Sequence, residues 1–331
     1  MNNTVDTNRI EFIDLAKGIC ILLVLVAHCG VLINIPGLEI VRMPLYFVLS
    51  GLFYKDYGGF KALFLKKTNR LLVPFLFFYG IAYIPFYVLK YGAPQWLITD
   101  ANGILDLFTN RQFFNGPIWF LLALFWCNIY YAALRKLGRG NEYRVLALVF
   151  LAGLAGIGLG RRGIFVPLFL DVALTALPFF YLGVWLKKTP LLYPNRYDKF
   201  NWLWVILLYL SSWFISAHFA FRLSLHYNGV GGPATYVLAA TSVLAFLLFS
   251  KMLRCLPIVS YAGRYSIVLL CTHHLFYRPI RVLLDRQPIE WLDNAYVVAA
   301  LTLACCLAVI PLCVRYIPWF VAQKDLIKTK A

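Results

Sequence analysis

The stretch that decides the fold is RIEFIDLAKGICILLVLVAHCG, residues Arg9–Gly30. The apolar run inside it continues to Ile33, and roughly 20 apolar residues suffice for a helix to cross a hydrocarbon core of about 30 Å. No small-residue cleavage site follows the run, so it is read as a span and not as a removable leader. It also carries three polar side chains, Asp14, Lys17 and His28, where lipid is expected. Asp14 and Lys17 stand three residues apart and can pair on one helix face. Lys17 and His28 are eleven residues apart, which is almost three full turns, so they share a stripe over roughly 16 Å of axis. Such a stripe is expected to face a cavity. Two plainer readings compete: His28 as a core histidine bonded to a neighbouring helix, and Asp14–Lys17 as an interfacial anchor pair.

Working outward, nine further apolar runs follow, near residues 38–54, 71–90, 116–134, 144–160, 164–186, 201–220, 233–250, 256–280 and 295–316. None alternates with period two, so the segments are helices and not barrel strands. The expected fold is all-α, a polytopic transmembrane bundle of about ten spans forming one domain over residues 1–331. Composition agrees: 62% of residues are apolar and only 14% are charged, against about a quarter charged in soluble domains. The net charge of +17 would suggest nucleic acid in a soluble protein. Here the charges lie between apolar runs, so no nucleic-acid partner is expected and the lipid bilayer takes that place. With both ends inside, 21 Lys and Arg fall on the inner side and 9 on the outer, which favours N-in, C-in. The 8 cysteines form no CxxC pair and read as apolar packing residues. Neither disulfides nor a metal site is expected.

Polar groups within spans are functional candidates by default. His273 and His274 lie in the ninth run. Adjacent residues point about 100° apart on a helix, so one is expected to face the cavity and the other to be structural. Arg42, Asp171 and His218 fall near outer ends, where interfacial placement is the first reading. Ser50 could present a hydroxyl, although a Ser-Gly pair more often serves close packing. Lys66, Lys67 and Arg70 precede the third run on the inner side. They suit the phosphates of a nucleotide-bearing donor, against a plainer role in anchoring or lipid binding. The outer stretch Ile104–Phe114 is amphipathic and reads either as an interfacial helix or as a plain loop.

Six segments in order resemble the acyltransferase-3 family of membrane-bound acyltransferases, which includes O-acetylases of surface glycans and fucose 4-O-acetylase-like proteins. The first span resembles the family's opening signature through Asp14, Lys17, Gly18 and His28, with Lys17 where an Arg is usual; Lys keeps the charge but not the bidentate fork. PLYFVLSGLFYK (44–55) is similar to the FFxLSGF segment, placing Ser50 and Gly51. FLKKTNRLLVPF (64–75) is similar to the basic stretch ending in Arg-x-x-x-Pro. GPIWFLLALFW (116–126) carries the WFL pattern at Trp119, and PFFYLGVWLKK (178–188) the ending of the sixth span. GRYSIVLLCTHH (263–274) resembles the GxxSxxxYxxH ending, with Leu270 for Tyr and a register that selects His273.

The resemblance implies about ten spans and an acyl donor, acyl-CoA and most often acetyl-CoA, used as a co-substrate with no tightly bound cofactor. It implies a cell-envelope glycan hydroxyl as acceptor and residence in the cell inner membrane. His28 is then the expected general base, or the nucleophile of a transient acyl-imidazole. Lys17, paired with Asp14, would orient the donor, and Arg70, Lys66, Lys67 and Ser50 would bind it. His273, Trp119 and Arg42 would stand on the acceptor side or behind the base. The rival readings are a transporter or flippase of an envelope precursor, which should show repeat-related halves with broken helices, and a sensing module without catalysis.

Overall fold

The computed structural model describes residues 10–31, 33, 35, 38–90, 106–109, 114–195, 198–218, 223–225, 228–285 and 294–328. Most of the stretch Ile104–Phe114 lies outside them, as do Arg9, Arg111, Arg196, Arg222, Arg286 and Lys330 from the charge count.

Each of the ten apolar runs becomes helix. They are α1 (Glu11–His28), α2 (Leu38–Leu52), α3 (Phe60–Lys67) continuing into α4 (Val73–Lys90), α6 (Trp119–Leu137), α7 (Glu142–Arg161), α8 (Leu170–Leu186), α9 (Asn201–His218), α10 (Ala234–Leu253), the pair α11 (Pro257–Arg264) and α12 (Ser266–Asp285), and α13 (Ala295–Tyr316). The short α5 (Asp106–Thr109) is the remaining helix. Among the described residues, seven helical segments are both long and apolar enough to cross a bilayer, running from Gly116–Leu137 to Ala295–Tyr316. The chain is a multi-pass membrane protein. The face of α9 shows what its solvent is: Trp202, Trp204, Leu207, Leu210, Trp213 and Phe214 all project outward, as suits lipid and not water.

Three features depart from the expected pattern. The ninth run is not one helix but breaks at Tyr265, between α11 and α12. A two-stranded ribbon, Leu223–Ser224 against Gly229–Val230, joins α9 to α10. Between α3 and α4 the backbone opens into a π turn at Thr68–Leu72.

Two glycine-notched crossings hold the bundle. Without a hydrophobic force between helices in lipid, close backbone approach supplies the attraction. Gly18 of α1 and Gly263 of α11 face each other's helix so closely that a Cβ at either would collide with the main-chain oxygen of Val259 or Asp14. Gly51 of α2 and Gly183 of α8 make the same reciprocal notch against Phe180 and Val48. The Ser-Gly pair at 50–51 therefore contributes its glycine to packing.

Asp171, expected at an interface, is instead fully buried. Its carboxylate accepts from Asn228 Nδ2 at 3.0 Å, and the same amide reaches the Gly156 carbonyl at 2.9 Å. Thr175 Oγ1 donates to Asn228 Oδ1 at 2.7 Å. Asn228 adopts a left-handed φ of 50°, a conformation Asn tolerates better than most residues. This network pins the ribbon onto α7 and α8. Removing the carboxylate leaves a buried amide unsatisfied, so Asp171→Ala is expected to cost about 2–3 kcal/mol, read as a lower melting temperature in detergent; an unchanged melt would reject the role.

The two ends of the molecule are defined by α13. Its first residue, Ala295, lies against Gly30 just beyond His28. Its 22 residues then run roughly 33 Å to a tail that folds against the π turn. Asn69 holds that tail through Leu326 N–H at 3.0 Å, Ile327 N–H at 2.8 Å and the Ile327 carbonyl at 2.8 Å.

Candidate active site

His28 occupies the last turn of α1 and lines a cavity of about 460 Å³. Arg42 and Glu39 of α2, Pro117, Trp119, Leu225 just after the first ribbon strand and Leu270 of α12 line the same space. Arg42 donates from Nε to the Glu39 carbonyl at 3.3 Å. Trp119 is backed by Phe169, with ring centroids 5.6 Å apart. A second cavity of about 140 Å³ adjoins it, sharing Val24, Met43 and Leu270, and is lined by Tyr46, Phe120, Leu121, Leu124 and Ser266. Tyr46 donates its hydroxyl to the Lys17 carbonyl at 3.0 Å. The two cavities therefore form a string running from the level of Lys17 to that of His28.

Two more imidazoles stand against His28. His273 Nε2 lies 3.2 Å from His28 Nδ1, and His273 Nδ1 lies 2.7 Å from the Leu269 carbonyl. A carbonyl can only accept, so His273 carries its proton on Nδ1 and offers the Nε2 lone pair. His28 must then donate from Nδ1, which leaves its own lone pair on Nε2. The ring of His274 meets that of His28 edge-on, with centroids 4.8 Å apart. Ligand nitrogens of the three histidines all fall within 4.8 Å of one another. The expectation that α12 would turn only one of its histidines to the site is corrected: His28 faces the cavity, and both neighbours converge behind it.

The other expected residues separate into groups. Lys17 pairs with Asp14 at 3.9 Å and lies 5.8 Å from the Phe53 ring centroid; it lines neither cavity. Ser50 accepts from Asn128 Nδ2 at 3.3 Å within the helix interface. Lys66 pairs with Asp325 of the tail at 2.7 Å, and Arg70 reaches both that carboxylate, at 3.5 Å, and the Ala322 carbonyl. Lys67, about 100° round the helix from Lys66, has its charge within reach of Cys127 of α6. His218 caps its own helix through Phe214. Sequence reasoning had no signal for Asp325, Asn69 or Glu39, and none for the meeting of α1 with α12.

A family model described as an acyltransferase domain matches residues 10–313. The chain belongs to the acyltransferase-3 family. No curated protein and no solved structure matches it. As a member of that family with membrane-spanning helices, it is a membrane acyltransferase. The matched region includes the histidines, the string of cavities and the basic cluster, and it ends before the tail that carries Asp325.

Proposed function

We propose that this acyltransferase moves an acyl group, most simply acetyl, from cytoplasmic acyl-CoA to a hydroxyl of a cell-envelope glycan or its lipid-linked precursor. It works in the inner membrane, crossing about ten times with both ends in the cytoplasm. The observation that carries the reading is an imidazole on the cavity wall whose Nδ1–H is fixed by His273. The acceptor hydroxyl gives its proton to His28 Nε2 as its oxygen attacks the thioester carbonyl. The tetrahedral intermediate collapses, the C–S bond breaks, and the CoA sulfur takes the proton from His28. The products are an ester and CoA thiol, with no cofactor consumed. Imidazole, whose unperturbed pKa is about 6.5, is the side chain best matched to taking and returning a proton near neutral pH.

The wide cavity, with the indole of Trp119 and the charges of Arg42 and Glu39, suits a sugar ring with hydroxyls. The narrower one suits a short acyl group better than a long chain. Lys17 orients the donor or offsets negative charge from the inner side. Lys66 and Arg70 hold donor phosphates, with Lys67 behind them, and Asp325 competes for the same cations. Asp325→Asn is accordingly expected to tighten CoA binding by about five-fold, measured by titration calorimetry on the purified protein; unchanged affinity would place the phosphates elsewhere.

His273 acts through His28 and is a positioning residue. His273→Ala should lower kcat by about 10–100-fold with KM unchanged. His273→Gln, which can still accept from Nδ1, should recover part of the loss. Equal effects on kcat and KM, or no rescue, would count against the arrangement. The reading as a whole is tested with purified protein, labelled acetyl-CoA and envelope glycan. Release of CoA thiol with label in an ester supports it. Movement of an intact envelope precursor across vesicles with no ester formed would favour the flippase reading.

A further inference from the structure

The cluster behind the cavity has more nitrogen than a base and its partner need. His274 is buried, with 8% of its surface exposed. Its ring nitrogens make no hydrogen bond of ordinary geometry among the described residues, and the Phe114 backbone is the one polar main-chain group that acts on the ring as an acceptor. We infer that His28, His273 and His274 form a site for a zinc ion, entered from the 460 Å³ cavity, and that its occupancy stops acyl transfer.

Zinc takes imidazole nitrogens at about 2.0–2.1 Å in tetrahedral geometry, which sets ligand nitrogens about 3.4 Å apart. The His28–His273 pair already stands at 3.2 Å. No pair is separated by more than 4.8 Å, so ring rotation closes what remains. The Nδ1–H of His273 donates to the Leu269 carbonyl, which is the outer-shell contact that fixes ligating histidines. The Phe114 backbone can occupy one nitrogen of His274, and the burial of the other is explained if its lone pair serves a metal. Three protein ligands leave a fourth position, and His28, the ligand on the cavity wall, directs it toward that space.

Two charges bear on the strength of the site. Glu39 on the cavity wall attracts a dication, while Arg278 is near enough for its charge to act on His274. The second effect weakens the hold. The metal takes the His28 Nδ1 lone pair as the imidazole proton moves to Nε2, so no proton is released on binding. The hydrogen bond to His273 is replaced by a metal bond, and neither nitrogen of His28 can then accept a proton from an alcohol.

The inhibitory half rests on the proposed function; the binding half does not. Purified protein in detergent is titrated with cobalt and with zinc. Visible absorption of tetrahedral cobalt at one ion per chain, bleached by zinc, is expected, and magnesium should compete for none of it. Absence of that spectrum overturns the site. His274→Ala should keep acyl transfer within about three-fold of wild type while losing at least about ten-fold in zinc sensitivity. A His274→Ala protein as zinc-sensitive as wild type also overturns it. Should His274→Ala not fold, the cobalt spectrum of the wild type decides alone. Cobalt bound at the cluster with transfer undiminished would leave the site standing and remove His28 as base.

Discussion

His28→Ala is expected to lower acyl transfer by about three orders of magnitude while the melting temperature in detergent stays within a few degrees of wild type. General-base catalysis contributes typically 10²–10⁴-fold, and no other group on the wall of the large cavity is suited to take a proton near neutral pH. A carboxylate such as that of Glu39 is a weak base for an alcohol. The stability side follows from position. His28 is an exposed side chain in the last turn of α1, so truncation removes little packing and leaves no closed void. Its loss does free the His273 lone pair, which costs a fraction of one hydrogen bond. Both quantities are measured on the same preparation. Transfer above about one tenth of wild type would remove His28 from the chemistry, whereas a collapse of the melt would show a structural histidine.

Gly263→Val is expected to abolish accumulation of folded protein. The added Cβ meets the Asp14 carbonyl oxygen, and the nearest atoms include the backbone nitrogen of Gly18. These are main-chain atoms within a packed helix pair, so no rotamer change can relieve them. Overpacking in a core typically costs 1–3 kcal/mol, and a clash between backbones lies at or above that range, about 3 kcal/mol or more. Gly18→Val should act alike from the other side, against Val259. Gly80 of α4, where a Cβ meets nothing within 4 Å, is the control: Gly80→Ala should be neutral or stabilising by up to about 1 kcal/mol. Size-exclusion profiles and melts of the three variants would decide. A monodisperse Gly263→Val protein would mean that α1 and α11 can separate, and with them the His28–His273 pair.

The helices were legible because lipid imposes a simple rule on sequence: a crossing segment must be long and apolar. Seven helical segments among the described residues obey it in full, and all ten apolar runs could be located as helix within a few residues. The break at Tyr265 was not legible, since GRYSIV contains neither proline nor a charge cluster, and the break is dictated by how α11 must lean on Gly18. His28 stood out as an imidazole in an apolar run, but helical periodicity linked it to Lys17 when its partners lie 245 residues away. The string of cavities reaches the level of Lys17, but the Lys17 side chain is taken up by Asp14 and the Phe53 ring and lines neither space. Asp171 was mistaken for an interfacial group because its partner, Asn228, sits in a turn that sequence alone could not bring to it. The clasp of Lys66 and Arg70 by Asp325 was hidden for the same reason: one acid among several lysines reads as part of a solvated tail.

The π turn at Thr68–Leu72 has a mechanical meaning. A wide turn carries one surplus residue, and such bulges can migrate along a helix without unwinding it. Sliding it by a single residue would swivel the segment holding Lys66 and Lys67 by about 100° relative to α4. Asn69 stands inside that turn and fastens the tail to it, so any such slide would have to release the tail.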